Sequence, residues 1–370
     1  MSNLKFMQRA YELALKGKGK TFPNPMVGAV VVKAGRIVAE GWHRRCGGPH
    51  AEIEAFRRAG SKTEGAQLYV TLEPCSHFGR TPPCVDDVMA RGISEVIIGM
   101  KDPNPLTCGK SIAKLKKAGA KIKILKTVGV EGELKRKIEE MNAPFIKFIT
   151  KQMPWVVAKT AQTLDGKIAT AAKQSKWITS EQTRAFARRR RDDFDAIMVG
   201  INTVLRDDPS LSAANPSKRL KKIVLDSSLK IDSNARIFQK ARPQDCIIAT
   251  TNRADKGRWK QLEQKGVVVI ECPLSGQQFD LAWLLKELAR RGIGKILIEG
   301  GAHVVGSALR EKLVDEMHIY MAPKIFGEQE ALSSVRGCHV ADINQAIQLK
   351  DIRVQSMGSD FLIEGKIKYN

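Results

Sequence analysis

No apolar run in the 370-residue chain is long enough to cross a bilayer, and the first twenty residues lack a secretory apolar core or cleavage site. A cytoplasmic location without membrane attachment is therefore the expectation. Cysteine is sparse and odd in number, seven at irregular spacing, which excludes a disulfide framework. Aromatic residues make up only 6%. The densest basic stretches, Arg188–Arg191 and the lysine-rich 114–126, contain none, so they lack the stacking platforms of a nucleic-acid binder. Acidic residues are outnumbered 39 to 62, leaving a net charge of +23. That excess is spread over both halves, as on a solvated surface, and also suits small phosphorylated substrates. No internal repeat or low-complexity tract is present.

What is present is an alternation of short apolar runs with helical patterns. Residues 1–20 read as an amphipathic helix with Leu4, Met7, Ala10, Tyr11 and Ala14 on one face. "MVGAVVVKAGRIVAEG" reads as two strands about a Gly turn, and "HAEIEAFRRAG" as a helix ending at Gly60. Strand "AQLYVTLEP", helix "CVDDVMARG", strand "SEVIIGM", helix "SIAKLKKAG" and strand "KIKIL" continue the rhythm of a layered α/β domain. The rhythm breaks at "APFIKFITKQMP", which places a boundary near Lys147 and gives domains 1–147 and 148–370. The second domain alternates again through "DAIMVG", "KKIVLD", "DCIIAT", "GVVVIE" and "KILIEGG".

His50 with Cys75 and Cys84 makes a three-ligand zinc set, leaving a fourth position for a water whose pKa falls toward ~7. Glu52 lies two residues beyond His50. In mid-helix the two would diverge, but at a helix start after Pro49 the side chains lean back past the N-terminus. Glu52 then stands beside the metal as a proton carrier and does not ligate it. Cys84 opens a helix after "TPP", where the dipole favours a thiolate. The loop between the cysteines carries His77 and Arg80 as polar probes of a substrate. The order H-x-E…P-C…C follows zinc base deaminases, except that the cysteine interval is eight residues where those enzymes have two.

"TFPNPMVGAVVV", "HAEIEA" and "TLEPCSHFGRTPPC" together resemble the bifunctional deaminase/reductase family of riboflavin biosynthesis. The resemblance implies a cytidine-deaminase-like N-terminal domain acting on a pyrimidine that bears phosphoribosylamine. It also implies zinc on His50, Cys75 and Cys84, Glu52 as proton carrier, and Asn24 as a substrate contact. In the second half, "TLDGKIA", "SKWITS", "VGINTVLRDDPSL", "LDSSL", "LIEGG" and "DEMHIYMAPKIFG" follow the same family's reductase half, which is similar in fold to dihydrofolate reductase. The family uses NADPH. The resemblance places the cofactor on Ala161, Trp177, Thr203, Asp207, Ser227 and the turn Gly301, Ala302, His303, Val304, Val305, Gly306 and Ser307. It places substrate on Ser175, Arg191, Leu211 and Glu299, with Lys159 a further contact. Residue 214 departs from the family: alanine stands where an arginine is expected, and Arg206, Arg219 or the 188–191 run are the substitutes in view. The rival readings are a nucleic-acid base deaminase, a basic binding protein with a structural zinc, and an enzyme with one working head. A homo-oligomer is left open.

Overall fold

The computed structural model describes residues 4–78, 82–105, 107–239 and 241–369. The chain divides into two compact α/β units between Met153 and Pro154. Lys147 falls inside the last helix of the first unit. That helix follows Asn142, whose side chain is bonded to both backbone groups of Met26, accepting from its N–H at 2.8 Å and donating to its carbonyl at 3.0 Å. Phe148 on the helix meets Phe22 edge-on with ring centres 5.1 Å apart. These long-range ties hold residues 148–153 to the first unit. Among the described residues no helix is long and apolar enough to cross a membrane.

In the first unit, helix α1 (Leu4–Leu15) buries Phe6, Met7, Ala10, Leu13 and Ala14. Strands β1 (Gly28–Lys33) and β2 (Arg36–Trp42) form an antiparallel hairpin, followed by α2 (Ala51–Ala59). Strand β3 (Gln67–Leu72), α3 (Cys84–Ala90), β4 (Glu95–Met100), α4 (Lys110–Lys117) and β5 (Lys121–Ile124) follow, then α5 (Gly129–Met141) and α6 (Ala143–Lys151). The sheet order is β2-β1-β3-β4-β5, with β3, β4 and β5 parallel. Strands β1, β3 and β4 are buried almost throughout, which is why they read as continuous apolar runs.

Helix α2 packs on β2 through Gly41. A Cβ there would stand 2.3 Å from the Ala51 carbonyl oxygen and 2.4 Å from the Ala55 nitrogen. The helix that carries His50 and Glu52 can approach the sheet only because that side chain is missing. Gly41→Ala is therefore expected to cost about 1–3 kcal/mol by overpacking and to lower the metal content of the purified protein. Thermal denaturation with elemental analysis checks it.

The second unit begins with β6 (Trp155–Thr163) and β7 (Lys167–Ala169), then α7 (Glu181–Arg190), β8 (Ala196–Gly200) and α8 (Ile201–Asp207). It continues through β9 (Lys221–Leu225), β10 (Cys246–Thr250), α9 (Lys256–Gln264), β11 (Val268–Glu271) and a short ribbon, β12 (Leu274–Ser275) with β13 (Gln278–Phe279). Helix α10 (Leu281–Arg290), β14 (Lys295–Glu299), α11 (Ala302–Arg310), β15 (Glu316–Ala322), β16 (Leu332–Ser333) and the hairpin β17 (Gln348–Met357) with β18 (Asp360–Lys368) complete it. Nine strands make one sheet in the order β11-β10-β9-β8-β14-β6-β15-β18-β17. From β11 to β15 all neighbours are parallel, and the C-terminal hairpin adds an antiparallel edge. Strand β14 enters between β8 and β6, which are earlier in the chain, so the connections diverge there. Such a switch point opens a crevice at the C-terminal ends of the strands.

Candidate functional sites

In the first unit His50 is the N-cap of α2, with extended backbone, and Glu52 lies in the first turn with 3% of its surface exposed. Pro83 caps α3, so Cys84 is that helix's first residue. The Cys84 N–H donates to the Cys75 sulfur at 3.2 Å, and the Val85 N–H donates to the Cys75 carbonyl at 3.1 Å. The helix end thus turns its free amides on Cys75 as well as carrying Cys84. His50 Nδ1 lies 3.1 Å from Cys84 Sγ and 3.5 Å from Cys75 Sγ. The three donor atoms all lie within 4.8 Å of one another. A tetrahedral zinc with Zn–S of about 2.3 Å and Zn–N of about 2.0 Å spaces nitrogen and sulfur about 3.5 Å apart. The donor set and its spacing fit zinc.

The electrostatics agree. A hydrogen bond from the Cys84 thiol, joined by His50, holds the Cys75 thiol well below the usual thiol range, while the same bond and burial push Cys84 up. Its contact with Cys75 raises His50. Burial pushes the Glu52 carboxyl up to about 7, against the pull of His50. A carboxyl at that level can take up and release a proton near neutrality.

Asn24 Nδ2 lies 3.1 Å from His43 Nε2, and His43 Nδ1 lies 2.9 Å from the Pro49 carbonyl oxygen. A carbonyl only accepts, so Nδ1 carries the proton, Nε2 accepts, and Asn24 must donate through its amide nitrogen. Burial lowers the His43 pKa, which keeps this neutral tautomer. The Asn24 carbonyl oxygen is thereby set in a fixed direction. His77 Nδ1 sits 2.9 Å from Thr107 Oγ1. Arg80 lies outside the described residues.

Three groups that the motifs do not expose complete the wall of this site: His43, Glu73 and Asp102. Glu73 accepts from the N–H groups of Asp102 and Gly109 and from the Ser111 hydroxyl at 3.3, 3.1 and 2.7 Å. It ties the loop after β4 to the turn that carries Cys75. Burial raises the Asp102 carboxyl to about 6. The available signal was an acid within two residues of the end of each of two adjacent parallel strands, each followed by proline, as in "TLEP" and "MKDP".

In the second unit β14 runs through Gly300 and Gly301 into α11, and both glycines are left-handed, at φ +89° and +81°. A Cβ at either would point toward Thr203 Oγ1, 3.9 and 3.8 Å away, and at Gly301 also toward Val304, 3.4 Å away. Their missing side chains leave a cradle at the N-terminus of a nine-residue helix, beside a hydroxyl on α8. That arrangement fits the phosphates of a dinucleotide. His303 and Val304 lie in the same first turn. Ala302 and Val305 are buried, the Arg336 backbone covers Gly306, and Ser307 turns to Gln278 at 3.1 Å. Of the seven-residue turn, Gly301, His303, Val304 and Ser307 thus keep surface open to a ligand.

The other expected positions group around this edge. Ser175 donates to Asp207 at 3.0 Å. Trp177 is 63% exposed, with the Arg184 guanidinium 4.2 Å over its ring, so it is not a core aromatic. Ala161 packs near Tyr320. The Ser227 carbonyl accepts from Thr251 Oγ1 at 2.8 Å. Leu211 is only 3% exposed and belongs to a hydrophobic cluster, which leaves its backbone as the part free to meet a ligand. Arg191 grips Glu299 with two parallel bonds, Nε to Oε1 at 2.8 Å and Nη2 to Oε2 at 2.7 Å, and donates Nη1 to the Ser212 carbonyl at 2.9 Å. Lys159 lies near the pair, its ammonium 5.6 Å from the centre of the Tyr320 ring and its pKa lowered by burial, against the pull of Glu299.

Comparison with known proteins follows this division. Residues 1–100 match the cytidine and deoxycytidylate deaminase zinc-binding region, and residues 154–363 match the RibD C-terminal domain. The riboflavin biosynthesis protein RibD of Actinobacillus pleuropneumoniae is 41% identical over 98% of this chain and 95% of its own length. A crystal form of Acinetobacter baumannii RibD superposes with a TM-score of 0.87 at 33% identity, covering 99% of both chains. A Thermotoga maritima diaminohydroxyphosphoribosylaminopyrimidine deaminase/5-amino-6-(5-phosphoribosylamino)uracil reductase gives 0.81 at 35%, over 99% of this chain and 98% of that one. With nearly the whole chain matched and both family regions found in it, this protein belongs to the RibD family, the bifunctional deaminase/reductases of riboflavin biosynthesis.

Proposed function

We propose that the first unit hydrolyses the 2-amino group of 2,5-diamino-6-(5-phosphoribosylamino)pyrimidin-4(3H)-one, releasing ammonia, and that the second unit reduces the ribosyl group of the deaminated product to ribityl with NADPH. The observation that carries the reading is the convergence of His50, Cys75 and Cys84 beside the buried carboxyl of Glu52. His50, Cys75 and Cys84 would hold one zinc ion, which when bound acidifies water to the point of attacking an amine-bearing carbon near neutral pH. Glu52 takes the proton from the attacking water and passes it to the departing amine. Asn24, fixed by His43, together with His77 and Arg80, orients the pyrimidine.

In the second unit the turn from Gly301, with Ala161, Trp177, Thr203, Asp207 and Ser227, holds the cofactor. NADPH when bound supplies the hydride that reduces the ribose carbon attached to nitrogen. Ser175, Arg191, Glu299, Lys159 and the backbone of Leu211 orient the sugar phosphate. The deaminated product leaves the first site as the substrate of the second, so both substrates carry the same phosphate.

A dual assay on one preparation tests this. The purified protein is expected to hold one zinc per chain, to release ammonia and to oxidise NADPH. Dialysis against a chelator should abolish ammonia release and leave NADPH oxidation on supplied deaminated substrate unchanged. Metal-loaded protein that frees no ammonia from the pyrimidine would refute the deaminase assignment.

A further inference from the structure

We propose that Arg188 binds the substrate phosphate in the second unit, an inference that rests on the reductase reading above. Helix α7 presents Arg184 and Arg188 at i and i+4, and Arg191, the C-cap residue that keeps helical backbone, continues the same face at i+7. The outer two are both turned to expected site residues. Arg184 covers the ring of Trp177 and donates to the Thr179 carbonyl at 2.6 Å, while Arg191 reaches Glu299 and Ser212. Arg188 stands between them along that face.

The other arginines of the run are engaged. Arg190 pairs with Glu364 at 2.8 Å and Asp193 at 3.6 Å, and Arg189 lies 5.8 Å over the Phe186 ring. Arg191 has its fork filled by Glu299 and Ser212, so a phosphate could enter it only by displacing a buried carboxylate. Arg188 is exposed and, among the described residues, its side chain makes no hydrogen bond, ion pair or ring contact.

The acids nearby are also spent. Asp192 accepts from the amides of Ala214 and Asn215, at 3.0 and 3.2 Å, and Asp193 faces Arg190. Those bonds draw the loop that carries Ala214 against the end of α7, one turn beyond Arg188. Arg188 is left as an uncompensated guanidinium on the helix face between Arg184 and Arg191, with a donor fork that matches phosphate oxygens. An exposed position suits the phosphate, which sits at the opposite end of the ribose from the carbon that takes the hydride.

The test compares intact zinc-loaded wild-type protein with Arg188→Ala on the deaminated substrate and on its dephosphorylated form. KM for the phosphorylated compound is expected to rise about 10- to 100-fold with kcat changed less than about twofold. Calorimetric Kd without NADPH should weaken by a similar factor. The dephosphorylated compound should not distinguish the two proteins. Arg188→Lys should recover part of the loss, and Arg188→Ala with Ala214→Arg more of it, since residue 214 sits on the adjoining loop. The inference is overturned if Arg188→Ala matches wild type on the phosphorylated compound, if it loses equally on both compounds, or if Arg206→Ala or Arg219→Ala alone carries the loss. Failure of wild type to oxidise NADPH with either compound would remove the reductase reading and this inference together, and it would be seen before any variant is made.

Discussion

Glu52→Gln is expected to lower ammonia release by about 10²–10⁴-fold, the usual contribution of a positioned proton carrier, while NADPH oxidation on supplied deaminated substrate stays at the wild-type rate. Glutamine has nearly the shape of glutamate, so the first turn of α2 keeps its packing. The residue is 3% exposed, and its carboxylate is not among the three clustered metal-ligand atoms. Zinc content should therefore hold at one per chain. What the variant loses is the ability to accept a proton.

The pH profile carries the sign. A base must be ionised to act, so ammonia release should fall as pH drops through the Glu52 pKa. Burial lifts that value to about 7, against the pull of His50. The acid limb of the wild-type profile should thus stand near pH 7 and be missing from the residual activity of the variant. If zinc is lost with the substitution, or both activities fall together, Glu52 holds the domain together and does not relay protons.

The parts of this enzyme legible in the sequence are those set by short-range geometry. His50 and Glu52 lie within one helix turn, and Pro83 before Cys84 marks a helix start, so motif spacing carries their placement. The apolar strands are legible for a similar reason: burial on both faces writes itself as unbroken runs such as Val30–Val32 and Val96–Ile98. Contacts between distant segments leave no such mark. Phe148 packs on Phe22 from far along the chain, and the first unit runs to Met153 where the sequence rhythm breaks near Lys147. Arg191 meets Glu299 across 108 positions, and only the fold shows that its guanidinium is already engaged. Within the arginine run, composition cannot separate Arg188 from Arg190, whereas helix phase and the location of Glu364 do.

Arg191→Ala is expected to harm the second unit twice, and a second substitution separates the two effects. The pair is largely buried, with side-chain exposures of 19% and 8%. Burial alone would raise the Glu299 carboxyl, but Arg191, aided by Lys159, holds it down to about 2. Removing the arginine leaves a buried carboxylate with Lys159 as its remaining counter-charge, a loss of about 3–5 kcal/mol for a broken buried pair. Because the folded pKa is depressed, the stabilisation is present above the unfolded value of 4.5 and is lost as pH falls through about 2. Denaturant melts of wild type and variant should accordingly differ most above about pH 5 and converge in acid. Arg191→Ala with Glu299→Gln discharges the stranded carboxylate and should return much of the stability at neutral pH. It should not return the KM for the sugar phosphate, because two of the groups proposed to orient the substrate are then gone. A double variant restored in both respects would make the pair a structural clamp, and a single variant with unchanged KM would remove Arg191 from the substrate site.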